Sequence, residues 1–209
     1  MSKLLTKEIA EEFLADEDSH DLDTFTSIDD AAAELLGKHK GTLSLNGLTE
    51  LSDMAAVSLG KHEGDLYLGL TELSDAAAKS LGKHTGFLDL CTLTELSDSA
   101  TDSLSKHEGG FNLNGLTELS DAAAESLSKH KGDLNLSGLA NLSDAAAESL
   151  GKHEGNLDLG GLTKLSDSAA ESLSKHMGFL GLDRVTALSD AAAESLIKHK
   201  GCLYLGDLI

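Results

Sequence analysis

The dipeptide Lys-His recurs along the chain, at His39, His62, His84, His107, His130, His153, His176 and His199, and every interval is 23 residues except the 22 that end at His84. Self-similarity at a fixed period of this length defines an array of equal units, none of which can bury its apolar face alone, so neighbours must stack. The segment 133–155, DLNLSGLANLSDAAAESLGKHEG, shows one unit in full and returns lightly altered from near residue 20 onward.

Within that unit two periods follow one another. Leu134 and Leu136 alternate with Asp133, Asn135 and Ser137, the two-residue period of a short strand with one buried face. Gly138 permits a turn, Leu139 and Leu142 insert below it, and either Ser143 or Asp144 can cap the helix that follows. Ala146, Leu150 and His153 then share one helical face, and Asp144, Glu148 and Lys152 share another. A helix of about ten residues is expected, closed by Gly155 in the left-handed conformation. Strand, turn, helix and glycine return the chain to its starting point, so successive strands are parallel neighbours with helices on the opposite side. Helices are about 10 Å wide and strands repeat near 4.8 Å, so small inward alanines let helices crowd and curvature takes up the rest, with the strand face concave.

The pattern LxLxGLTxLSDAAAESLxKHxG, over about residues 20–209, resembles a bacterial leucine-rich repeat. Its LxL core matches the family pattern LxxLxLxxNxL, but Leu139 and its counterparts stand where the family carries Asn. Thr49, Thr71, Thr94, Thr117, Thr163 and Thr186 could take over loop hydrogen bonding, with Ala140 breaking the column. The resemblance implies a curved solenoid used for protein recognition and no catalytic residues. The expected fold is therefore α/β, a leucine-rich-repeat-type solenoid with a parallel sheet on the concave side and short helices on the convex side. Residues 1–24 form an N-terminal capping helix and acidic connector, and residues 25–209 a solenoid of about eight 22–23-residue repeats.

The cap is read from residues 3–14, where Leu5, Ile9 and Phe13 fall on one helical stripe and the glutamates largely off it. At the other end, CLYLGDLI begins a ninth unit, whose open strand edge could pair with another chain. No run approaches the length of a membrane span and the charged start does not read as a signal peptide, so a cytoplasmic protein is expected. A net charge of −20, with lysines spread singly along the repeats, disfavours nucleic acid and anionic membrane surfaces as partners. Cys91 and Cys202 lie five repeats apart, roughly 24 Å by strand spacing, and are expected to be free thiols.

Chemistry could reside in three sets of residues. The histidine column invites a metal, but no second ligand stands at ligand spacing on the same inward face, so a structural role is expected. The Asp144, Glu148, Lys152 column reads as a solvated face with an i, i+4 Glu–Lys pair. The strand face differs from both, because it varies between units. Its first column is Thr42, Asp65, Phe87, Gly110, Asp133, Asn156, Phe179 and Cys202. Its second is Ser44, Tyr67, Asp89, Asn112, Asn135, Asp158, Gly181 and Tyr204, and a third runs from Asn46 to Gly206. None of these positions is Lys or Arg.

Variation on a fixed frame fits both a binding face and unconstrained drift. The binding reading places partner contacts at Asp65, Tyr67, Phe87, Asp89, Asn112, Asp133, Asn135, Asp158, Phe179 and Tyr204, with Tyr67–Phe87 and Phe179–Tyr204 as aromatic anchors. A basic or donor-rich protein or peptide suits that face. No catalytic set, metal site or cofactor is expected. The function so read is a non-enzymatic protein- or peptide-binding module; the alternative is a structural or self-assembling scaffold that associates through its C-terminal end.

Overall fold

The computed structural model describes residues 3–206. In chain order its elements are β1 (Leu4–Leu5), α1 (Lys7–Ala15), β2 (Ser27–Ile28), α2 (Asp30–Leu36), β3 (Leu43–Leu45), α3 (Asp53–Leu59), β4 (Leu66–Leu68), α4 (Asp75–Leu81), β5 (Leu88–Asp89), α5 (Asp98–Leu104), β6 (Phe111–Asn112), α6 (Asp121–Leu127), β7 (Leu134–Asn135), α7 (Asp144–Leu150), β8 (Leu157–Asp158), α8 (Asp167–Leu173), β9 (Leu180–Gly181), α9 (Asp190–Leu196) and β10 (Leu203–Tyr204). Strands β3 to β10 form one parallel eight-stranded sheet in sequence order, and each helix packs against the next. The protein is an α/β solenoid of the leucine-rich-repeat type. Of the expected ninth unit, residues 207–209 lie outside the described residues.

The alternating leucines form the strands for the reason their period suggests. Leu134 and Leu136 are buried while Asp133 and Asn135 face outward, and the Leu134 and Leu136 N–H groups donate to the Asn156 and Asp158 carbonyls of the next coil, each at 2.8 Å. Leu139 and its counterparts, in the column where the family carries Asn, are buried from Leu48 to Val185. Loop carbonyls are met instead by a backbone ladder, as where Thr163 N–H donates to Ala140 O at 3.4 Å. Ala140 accepts in this ladder, but among the described residues its own N–H does not carry it on to Thr117 O, so the column is interrupted there as expected. Within this column the threonine hydroxyls of Thr49 and Thr71 also donate, to Thr26 O and Thr49 O, and beside it the Thr92 hydroxyl donates to Leu70 O at 2.7 Å.

Each helix from α3 to α9 starts at a serine, which settles the choice of cap. Ser143 Oγ accepts the Ala146 N–H at 2.9 Å, and the same hydroxyl donates at 2.5 Å to Asp121, one coil earlier. Asp144 in turn accepts from Ser166 at 2.5 Å, so serines and aspartates form a ladder between coils from Ser52–Asp30 to Ser189–Asp167. The aspartate column is thus more than a solvated face: it joins adjacent helix starts. The rest of that face behaves as expected, with Lys152 Nζ 3.1 Å from Glu148 Oε1 and both side chains exposed.

The helices are shorter than expected. Helix α7 has seven residues, and Gly151, Lys152 and His153 follow it in a turn that keeps the histidine pointing inward. Among the described residues no glycine has a positive φ, so Gly155 is not a left-handed cap. Its reason is crowding between coils. A Cβ at Gly155 would lie 2.2 Å from Gly132 O and 3.0 Å from His153 Nε2, and the same clash recurs from Gly64 to Gly201.

Helix α1 packs on α2, as a cap on the first coil would, burying Ala10 and resting Ile9 and Phe13 on the core. Leu5 departs from the expected stripe. It precedes the helix, in β1, which pairs in parallel with β2 outside the main sheet and places Leu5 opposite Ile28. The connector is tied down as well: Asp23 accepts from the Ser44 hydroxyl at 2.8 Å and from Asn46 N–H at 2.7 Å.

Candidate functional site

The sheet register carries the second outward column across the whole concave side. Ser44, Tyr67, Asp89, Asn112, Asn135, Asp158, Gly181 and Tyr204 are successive register partners. The first-column residues stand two positions earlier, at the entry to each strand.

Asp and Asn recur on this face partly for local reasons. In the second column the side-chain oxygen accepts the N–H two residues on, which ends the strand with an Asx turn. Asp89 accepts from Cys91 N–H at 2.9 Å, Asn112 from Asn114 at 3.1 Å, Asn135 from Ser137 at 2.9 Å and Asp158 from Gly160 at 2.8 Å. In the first column the oxygen reaches the next coil: Asp65 accepts from Phe87 N–H, and Asp133 from Asn156 N–H, both at 3.0 Å.

These bonds divide the ten expected contact residues. Asp89 is buried, and its second oxygen accepts from Asn112 Nδ2 at 2.8 Å, so this pair serves the coil connection. Asp65 and Tyr67 stand toward the N-terminal side, and Tyr204, 53% exposed, toward the other. Between them lies a depression of about 250 Å³, lined by Phe87, Asn112, Asp133, Asn135, Asp158 and Phe179 together with Asn156 and the floor residues Phe111 and Leu134. Six of the ten are thus brought together. Asn156 stands in the first column but was not among the ten.

Glycines explain how the phenyl rings lie. A Cβ at Gly110 would sit 3.1 Å from the Phe87 ring, and one at Gly181 would sit 3.2 Å from the Phe179 ring, so each ring leans over a neighbour without a side chain. Phe87 also meets Tyr67 at 5.7 Å between centroids, the expected anchor pair. Among the described residues no ring contact joins Phe179 to Tyr204; the second anchor is Phe179 by itself. Larger depressions, of about 500 to 720 Å³, lie between helices on the other side, walled mainly by the Glu, Ser and Lys of the repeat itself.

The histidines form a single stack. Successive rings from His39 to His199 lie 5.5–6.1 Å apart and within 14° of parallel. This spacing exceeds the about 4.8 Å between strands, which shows coils fanning outward from the concave face. His62, His84, His107, His130, His153 and His176 are at most 2% exposed. His84 Nε2–H donates to Gly64 O at 2.8 Å, while among the described residues neither ring nitrogen of His62, His107, His130 or His153 makes a hydrogen bond. Burial, the largest cause, pushes His84 and His130 from the ordinary 6.5 down to about 4 and lowers the other four.

Among the described residues no three His, Cys, Asp or Glu side chains converge to hold a metal ion. Cys91 and Cys202 are free thiols, flanking strands β5 and β10, which lie five strand spacings apart. Burial and then the Asp89 hydrogen bond raise the Cys91 thiol to about 11, which keeps it protonated. No described helix is long and apolar enough to cross a membrane.

The fold defines a class, the strand-and-helix repeat solenoid, whose curved shape is compatible with a binding or scaffold role. No protein-family profile matches the chain, and no curated protein matches it significantly.

Proposed function

We propose that the protein is a non-enzymatic recognition module, a divergent leucine-rich repeat that binds a protein or peptide on its concave strand face. The observation that carries this is the depression between Phe87 and Phe179, in which six of the residues that vary from coil to coil converge on a frame that otherwise repeats. Its walls combine two phenyl rings with carboxylate and amide groups, apolar anchors beside polar groups able to orient a bound chain. With 16 Lys and Arg against 36 Asp and Glu, the fitting partner is basic or rich in donors, and nucleic acid and anionic membranes are disfavoured. A cytoplasmic residence belongs to the same reading.

The test is selection of random displayed peptides on the folded protein, with Phe87→Ser/Phe179→Ser as the comparison target and Glu148→Lys/Glu171→Lys on the helix side as the control. Peptides that bind the native chain and the helix-side variant but not the phenylalanine variant support the concave site. Peptides retained by the phenylalanine variant refute it. The scaffold alternative draws on the exposed Tyr204 in β10, and it requires a mass that rises with concentration.

A further inference from the structure

Within the depression, four side chains on two adjacent coils form a square of unused hydrogen-bonding groups. Asp133 and Asp158 each commit Oδ1 to a backbone N–H, at 3.0 and 2.8 Å, and among the described residues no protein group bonds the second oxygen of either. Asn135 and Asn156 commit their Oδ1 atoms likewise, to Ser137 N–H at 2.9 Å and Phe179 N–H at 3.1 Å, which leaves their NH₂ groups as donors. The two carboxylates occupy one diagonal and the two amides the other. Asp89, with both oxygens taken and its side chain buried, shows what a purely structural aspartate looks like on the same face.

Resting on the concave-face reading above, we propose that this square takes the guanidinium of an arginine from an extended basic peptide, bridged between Asp133 and Asp158. One strand spacing and a two-residue offset put their Cα atoms about 8 Å apart, a gap that a planar fork of five N–H donors can span and a compact ammonium cannot. Both carboxylates are already oriented by their backbone bonds, so little ordering is left to be done on binding. The amides of Asn135 and Asn156 then meet carbonyls of the peptide. Phe87 and Phe179 stand beside β5 and β9, four strand spacings or about 19 Å apart, which is the reach of about six extended residues. Apolar side chains near both ends of the peptide would meet these rings while the arginine occupies the centre. Charge favours this occupant over a second copy of the chain, which would bring a further net charge of −20.

The probe is a fluorescein-labelled peptide of about seven residues, with leucine at both ends, a central arginine and serine elsewhere, followed by anisotropy with the full chain. Asp133→Asn/Asp158→Asn keeps the oxygen that accepts each backbone N–H, and an unchanged circular dichroism melt establishes that it folds. That variant should bind at least about tenfold more weakly, citrulline in place of arginine should cost as much, and lysine should fall between. Equal binding by the variant, by the citrulline peptide or by a peptide with its arginine moved to one end overturns the inference. If the arginine peptide fails while display-selected peptides still distinguish the native chain from Phe87→Ser/Phe179→Ser, only the arginine site is overturned. If neither binds, the concave-face reading falls with it. A mass that doubles with concentration, and stays monomeric in the phenylalanine variant, assigns the face to a second copy and also overturns the inference.

Discussion

Acidification should weaken the fold through its histidine stack, and the size of the effect follows from the geometry. His84 and His130 are held down to about 4, chiefly by burial, while the same side chains in the unfolded chain return to an ordinary value near 6.5. Below about 6.5 the unfolded chain therefore binds protons that the folded chain refuses. The stabilising contribution is complete above that pH and is lost progressively as the pH falls toward about 4. Between pH 7.5 and 5.5 each such histidine forfeits about 1.4 kcal/mol, so these two lose about 2.7 kcal/mol together. His62, His107, His153 and His176 are lowered as well and add to the loss. The charged neighbours modify this without reversing it. Asp65 favours the proton on His84 and Glu108 that on His107, but burial outweighs both, and the His62 and His107 rings oppose a proton on His84. Urea unfolding followed by far-ultraviolet circular dichroism at the two pH values reads the difference directly. His130→Leu should reduce the pH-dependent loss by about 1.4 kcal/mol. A urea midpoint at pH 5.5 equal to or above that at pH 7.5 would refute the reasoning.

Three further outcomes are expected. Gly132→Ala should destabilise by about 3 kcal/mol or more in urea unfolding, because the new methyl would lie 2.1 Å from the Gly109 carbonyl oxygen. Gly41→Ala, where only the movable His39 ring stands in the way, should cost clearly less; equal losses would contradict the crowding argument. Ser143→Ala removes both a helix cap and the bond to Asp121 and should cost about 1 to 2 kcal/mol, and an unchanged midpoint would show that the ladder contributes nothing. Raising salt from about 10 to about 200 mM should raise the melting temperature, since screening a net charge of −20 outweighs the loss of exposed Glu–Lys pairs worth a few tenths of a kcal/mol each. A fall in melting temperature would reverse that balance.

The parallel sheet, the inward leucines and the outward columns were legible because they rest on the two-residue period and the fixed repeat alone. Helix length was not. Ala146, Leu150 and His153 keep helical phase, yet the chain leaves the helix after Leu150 and brings His153 inward through a turn. Phase reports which side a residue faces and not how the backbone takes it there. Gly155 was legible as obligatory but for the wrong reason, since a sequence cannot show that a neighbouring coil's carbonyl occupies the space of a side chain. The same limit applied to the site. Asp89 and Asp158 look equivalent in a column, but the Asn112 amide saturates the first and leaves the second with a free oxygen. Gly110 and Gly181, one coil after Phe87 and two residues after Phe179, were the available signal that those rings would lie over the face.

Hydrogen–deuterium exchange of the full chain, with and without the most strongly selected displayed peptide, tests most directly whether recognition belongs to the concave side. Added protection should fall on segments 87–91, 110–114, 133–137, 156–160 and 179–183, which carry the depression and its phenyl rings, and should leave the starts of helices α5 to α8 unchanged. Protection confined to those helices, or no protection at saturating peptide, would contradict it.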